Sequence, residues 1–195
     1  MILALYFSFI QMVLAGDLKP MGEAELALKL RQYQSISALE ATFKQTKTIR
    51  KMDVFINSEG HFKVTRPRNL VWQVVKPSPV VVSMDDNQVK IVSEGETQVY
   101  KLSELPTDSV AQSLKGLLAL LDLDASELYL HYDVFLDGKE KNEFRFVPKK
   151  GDGSPFKSLV MSLDKSGYVR KVEISELSGD SIAIEFGVPK VTSKK

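Results

Sequence analysis

The side chains able to do chemistry are few and scattered along this chain. Its only two histidines, His61 and His131, fall on separate predicted strands, and with no cysteine present they complete no metal-ligand set. Each reads as a solvent-facing strand residue. Asp85-Asp86 could pair as general acid and base, but with Asn87 behind them they suit a turn better. Asp122 and Asp124 follow a predicted helix, at the wrong end of its dipole for a stabilising role, and read as solvated loop. Gly-x-Ser-x-Gly, HExxH, P-loop and GxGxxG patterns are all absent. Catalysis is not indicated, and neither a cofactor nor a metal is expected. One charged residue stands out. Phe62, Val64 and Arg66 share a strand parity, so Arg66 should point the way its two apolar neighbours point. Such an arginine either snorkels to water over its own stem or is paired and used.

Arg66 lies in the stretch around which the chain is organised, Gly60 to Pro77: a strand, a turn broken by Pro67, and a second strand Leu70–Val75. The second strand is apolar on both faces except for Gln73, as is Val80–Val82. Antiparallel sheets usually keep one face wet, so this surplus means either burial under helices or a concave lining that accepts apolar guests. Composition leaves both open.

The remaining elements follow from period and punctuation. Gly22–Tyr33 has the spacing of a one-sided helix, and Leu39–Ile49 reads as the first strand. A hairpin turn is expected at Ser58-Glu59-Gly60, where Gly supplies a positive φ. A meander runs through residues 79–102. Thr107–Ser109 then offers N-cap oxygens to a strongly apolar helix carrying Val110, Leu114, Leu117, Leu118 and Leu121. Further hairpins occupy 129–148 and 156–188, with Val191–Lys195 as a frayed basic tail. The short connections predict an α+β, mainly β fold: about ten or eleven antiparallel strands in a sheet that must curl, with two helices, one before the sheet and one inserted midway.

At 195 residues the chain fits one domain. Lys+Arg 26 against Asp+Glu 25, without a basic stripe, gives no electrostatic case for nucleic acid. Residues 1–15 form an apolar run closing on small residues, which reads as a secretory signal with cleavage near Ala15, although no Lys or Arg precedes it. Residues 16–195 are then the mature, exported protein.

Phe43-x-Gln45, Gly60, Arg66-Pro67, Trp72 and Pro77, in this order and spacing, resemble the signature of the LolA family, periplasmic carriers of lipoproteins to the outer membrane. The resemblance extends to element order over nearly the whole mature chain. It implies an unclosed antiparallel β-barrel covered by two or three lid helices with acyl chains held inside, acting as a monomeric carrier between an inner-membrane donor complex and an outer-membrane acceptor. By position, Arg66 would latch the lid, and Leu70, Trp72 and Val74 would line the cavity. Parity adds Phe43, Phe62, Val64, Leu117, Leu118 and Leu121 as neighbours. The chain ends soon after Phe186–Pro189, where the family usually continues, so the cargo is left open. A chain without cysteine does not match the lipid-anchored acceptor of similar fold. A carrier of another acylated lipid or glycolipid precursor, and a lipid-sensing regulatory domain that binds a protein partner, are the other readings.

Overall fold

The computed structural model describes residues 18–67, 69–104, 123–137, 142–149, 154 and 156–194. The fold is mainly β: thirteen strands in one antiparallel sheet and two α-helices among the described residues. In chain order these are β1 (Leu18–Pro20), α1 (Glu23–Leu30), β2 (Ile36–Ile49), β3 (Val54–Thr65), β4 (Asn69–Lys76), β5 (Val80–Met84), β6 (Gln88–Ser93) and β7 (Glu96–Lys101). Then come α2 (Ala125–His131), β8 (Tyr132–Asp137), β9 (Glu143–Pro148), β10 (Phe156–Leu163), β11 (Val169–Glu176), β12 (Ser181–Phe186) and β13 (Lys190–Ser193). The sheet runs β1-β8-β9-β10-β11-β12-β2-β3-β4-β5-β6-β7, and β1 and β7 do not pair, so the barrel stays unclosed. No helix among the described residues is long and apolar enough to cross a membrane.

Helix α1 forms where the spacing predicts it. Leu26 and Leu30, one turn apart, are fully buried, and Glu23, Glu25 and Lys29 suit the two ends of its dipole. A 3₁₀ turn, Arg31–Ser35, leads from it into β2. Both helices cover the β8–β10 half of the sheet, where Leu26, Leu30, Leu128, Phe144 and Phe146 form the deepest part of the core. Each fully buried side chain of this kind contributes about 2 kcal/mol of transfer free energy. The β3–β6 half carries only a small cluster of Leu70, Met84 and Val89, with Phe62, Val64, Val82 and Ile91 half-buried against it, while Val54, Phe55, Ile56, Val71 and Val75 are exposed.

Several expectations are corrected. There is no turn at Ser58–Gly60, because β3 runs straight through it, pairing with β2 from Val54 to Thr65. The turn lies earlier, at Arg50–Asp53, where Asp53 takes the left-handed conformation (φ 52°). Gly60 serves close approach instead: a Cβ there would lie 1.9 Å from the Gln73 carbonyl oxygen and 2.9 Å from Cζ of Phe43.

The expected strand from Tyr129 starts only at Tyr132, because Ala125–His131 is helical. Asp124 is therefore not solvated loop but the N-cap of α2, its carboxylate accepting from the Ser126 and Glu127 backbone N–H groups at 2.9 and 3.3 Å. His131 consequently ends a helix rather than sitting on a strand. Val191–Ser193 is not a frayed tail. It belongs to β13, which pairs with Ile36–Glu40 of β2 beside the stretch taken by β12. With β1, this strand raises the count above the ten or eleven expected. The apolar helix expected over 110–121 and the segment 1–15 lie outside the described residues.

Candidate functional site

The two halves of the sheet face each other across a cavity of about 390 Å³. Its positions follow from strand period alone: every second residue of each strand points inward. β3 and β4 supply Phe62, Val64, Leu70 and Trp72 to one wall, and β5 adds Val82 and Met84. β10 and β11 supply Leu159, Met161, Val172 and Ile174 to the other, and β12 adds Ile182 and Ile184. Tyr33, Ile36, Leu123 and Tyr168 also border the space. Among the described residues its polar side chains besides the two tyrosines are Ser37, Gln45 and Arg66, so the interior offers an apolar guest contact on nearly every side.

Of the residues singled out from the sequence, Phe62, Val64, Arg66, Leu70 and Trp72 border the cavity together. Phe43 lies one layer deeper, fully buried and stacked on Trp72 with centroids 3.8 Å apart and planes at 23°. Val74 packs against the main core and is not part of the lining. Leu117, Leu118 and Leu121 lie outside the described residues. Phe186 joins the aromatic group, 4.9 Å from Phe62 and edge-on to Trp72 at 6.3 Å. The walls from β10, β11 and β12 are not among the residues the sequence points to, although Val172-x-Ile174 and Ile182-x-Ile184 carry the same alternation.

Arg66 is half-buried just past the end of β3, where its backbone N–H donates to the Ser37 carbonyl at 2.9 Å. Its charge reaches the cap of α2. The Asp124 carboxyl is held below its ordinary value, first by the Ser126 hydroxyl, which donates to it at 2.6 Å, against the cost of desolvation. The Glu127 and Ser126 backbone N–H groups and the Arg66 guanidinium add to the lowering. At the cavity border the Tyr33 hydroxyl is pushed up to about 12, chiefly by burial, while it accepts the Val169 backbone N–H at 2.8 Å. It therefore stays a neutral wall element.

The cap carries a testable consequence. Asp124→Ala is expected to cost about 1 kcal/mol at neutral pH. A carboxyl whose folded pKa is depressed stabilises above its unfolded value and loses that contribution as pH falls through the folded one. The gap between wild type and variant should thus narrow as pH falls below 3.8, the ordinary value for this group. Urea unfolding at neutral and acid pH reads both; a gap constant with pH would mean the carboxylate is not what caps the helix.

The family model described as outer membrane lipoprotein carrier protein LolA matches residues 34–194. No curated protein sequence matches. Among solved structures, a DUF1329 family protein from Desulfovibrio piger is similar with a TM-score of 0.51 at 11% identity, covering 87% of this chain and 91% of that one. A LolA superfamily protein from Nitrosomonas europaea gives 0.45 at 10% identity, over 90% and 96% of the two chains. The MucA/MucB complex of Pseudomonas aeruginosa gives 0.47 at 14%, over 89% of this chain and 58% of that one. At such identities the structural likeness speaks to the fold alone. The family match spans most of the sequence, and on it the chain belongs to the family of the outer membrane lipoprotein carrier protein LolA.

Proposed function

We propose that the protein is a periplasmic carrier that holds the acyl chains of lipoproteins in this cavity and shuttles them towards the outer membrane. On this reading it works as a monomer without catalysis, loaded by an inner-membrane donor complex and emptied by an outer-membrane acceptor. The observation that carries the reading is the apolar cavity of about 390 Å³ between the two halves of an unclosed sheet. Each methylene buried there contributes about 0.8 kcal/mol, so a short length of acyl chain suffices for tight binding. Tight binding alone does not make a carrier, because cargo must also leave.

Arg66 is the residue suited to supply the opposing term. Among the described residues it is the one cation that borders this apolar space, and a polar contact made only when the cavity is closed would favour the empty state. Arg66→Leu is then expected to hold lipid more tightly and to slow transfer to an acceptor by about tenfold, the weight of one charge-assisted hydrogen bond. Unchanged affinity together with unchanged transfer rate would remove Arg66 from the mechanism.

The cargo is read by native mass spectrometry of protein purified from its own periplasm, followed by extraction of what co-purifies. A triacylated lipoprotein is the expected finding. A different acyl lipid would keep the cavity's role and change the pathway to that of a related lipid carrier. A protein that stays empty even when challenged with lipid would overturn the carrier reading in favour of a regulatory domain that binds a protein partner.

A further inference from the structure

The β2–β3 hairpin ends in a surface that the cavity does not explain. Met52 is 69% exposed, Val54 37%, Phe55 63% and Ile56 44%, all within five consecutive residues. The adjacent β11–β12 turn, tied to this tip by the Arg50 backbone N–H donating to Asp180 Oδ1 at 3.0 Å, adds Leu177 at 69%. Exposed apolar residues scattered singly need no explanation, but a contiguous group at one end of an element does.

The tip is apolar on both faces. Val54 and Ile56 share parity with Phe62 and Val64 and so face the concave side, whereas Phe55 faces the convex side. A protein partner seated on a sheet covers one face and leaves the other wet. A continuous apolar phase that surrounds the tip satisfies both. Charge fits the same occupant. The turn holds Arg50 and Lys51 beside Asp53, with Asp180 of the adjacent turn accepting the Arg50 backbone N–H, and neither cationic side chain enters an ion pair among the described residues. Lys47, farther back, is already paired with Glu176 at 3.2 Å.

We propose that this hairpin tip docks on an anionic lipid bilayer, with Met52 and Phe55 entering the headgroup–acyl boundary and Arg50 and Lys51 meeting the lipid phosphates. The inference stands on the hairpin's own surface, so it survives or fails independently of the cargo in the cavity.

The absence of cysteine makes the test clean, since one introduced thiol is the only labelling site. Met52→Cys would carry an environment-sensitive fluorophore. Ser166→Cys serves as the control: it lies in the β10–β11 turn, beside Gln32 and so near the start of β2, at the opposite end from the tip. Vesicles of equal parts phosphatidylcholine and phosphatidylglycerol should shift the Met52→Cys label to the blue and leave the Ser166→Cys label unchanged. Phe55→Glu should reduce the fraction of protein floating with these vesicles at least about tenfold, with its urea midpoint unchanged because the side chain is exposed. Pure phosphatidylcholine vesicles should bind more weakly. Failure to associate with the anionic vesicles would overturn the proposal, as would flotation with a silent Met52→Cys label. Self-association in solution that Phe55→Glu abolishes, without vesicle binding, would instead make the tip an interface between copies of the chain.

Discussion

Replacing Gly60 with valine is expected to destabilise the protein by about 3 kcal/mol, at the upper end of what overpacking costs. The first added carbon would stand 1.9 Å from the Gln73 carbonyl oxygen and 2.8 Å from its carbon. Both are backbone atoms of β4, so no rotamer change can clear them. The third neighbour, Cζ of Phe43 at 2.9 Å, belongs to a ring that is fully buried and stacked on Trp72. Relief therefore requires β4 to move away from β3 next to the register shift between Glu59 and Gly60, which loosens the wall bearing Trp72. Gly22→Ser is the matched control. Gly22 has open space where a Cβ would go and sits at the N-cap of α1 with extended angles, where serine caps well. It should change stability by less than about 0.5 kcal/mol. Urea unfolding reads both through the midpoint, provided the slope is unchanged. A Gly60→Val protein within about 1 kcal/mol of wild type would show that β3 and β4 separate at little cost, and the close approach would not be what the glycine is for.

How far the sequence leads depends on which physics decides each element. Leu26 and Leu30 on α1, and the Phe62–Arg66 parity on β3, are visible because burial imposes a period on consecutive residues. Gly60 reads as a turn residue because Ser-Glu-Gly has the composition of a turn, while its real constraint comes from Gln73 and Phe43, far from it in sequence. The true turn hides in Asp53, a non-glycine residue in the left-handed conformation. Helix α2 announced itself in Asp124-Ala-Ser-Glu127, with a cap residue and an acidic residue three positions on, but seven residues give too little apolar period to weigh against a strand. β13 had no local signal at all, since its four residues are all exposed and its pairing is set by the length of β2. Parity shows that Val172, Ile174, Ile182 and Ile184 face inward. Whether they meet other side chains or empty space depends on the gap between two halves of a sheet, which no local pattern records.

The aromatic stack beneath the cavity separates stability from binding within a single contact. Phe43→Ala is expected to cost about 4 kcal/mol, because a fully buried ring leaves a void under a sheet held by backbone pairing on both sides. Trp72→Ala should cost less, about 2 kcal/mol, since its other face borders space that is already empty. With ring centroids 3.8 Å apart the two losses should not add: whichever ring goes first removes the stack, so the double variant falls short of the sum by about 1 kcal/mol. Binding should follow the opposite order. Trp72→Ala takes an apolar surface out of the wall and is expected to weaken acyl-chain affinity about tenfold, while Phe43→Ala, one layer removed, acts only through the position of Trp72. The chain's single tryptophan makes wild type and Phe43→Ala directly comparable, because emission from Trp72 reports the wall itself as a fatty acid is titrated in. Trp72→Ala is followed by a radiolabelled fatty acid instead. A Trp72→Ala protein that loses stability yet binds fatty acid as wild type does would mean that Trp72 belongs to the core and that the guest sits elsewhere. Loss of affinity with modest loss of stability is the pattern a binding wall produces and a packed core does not.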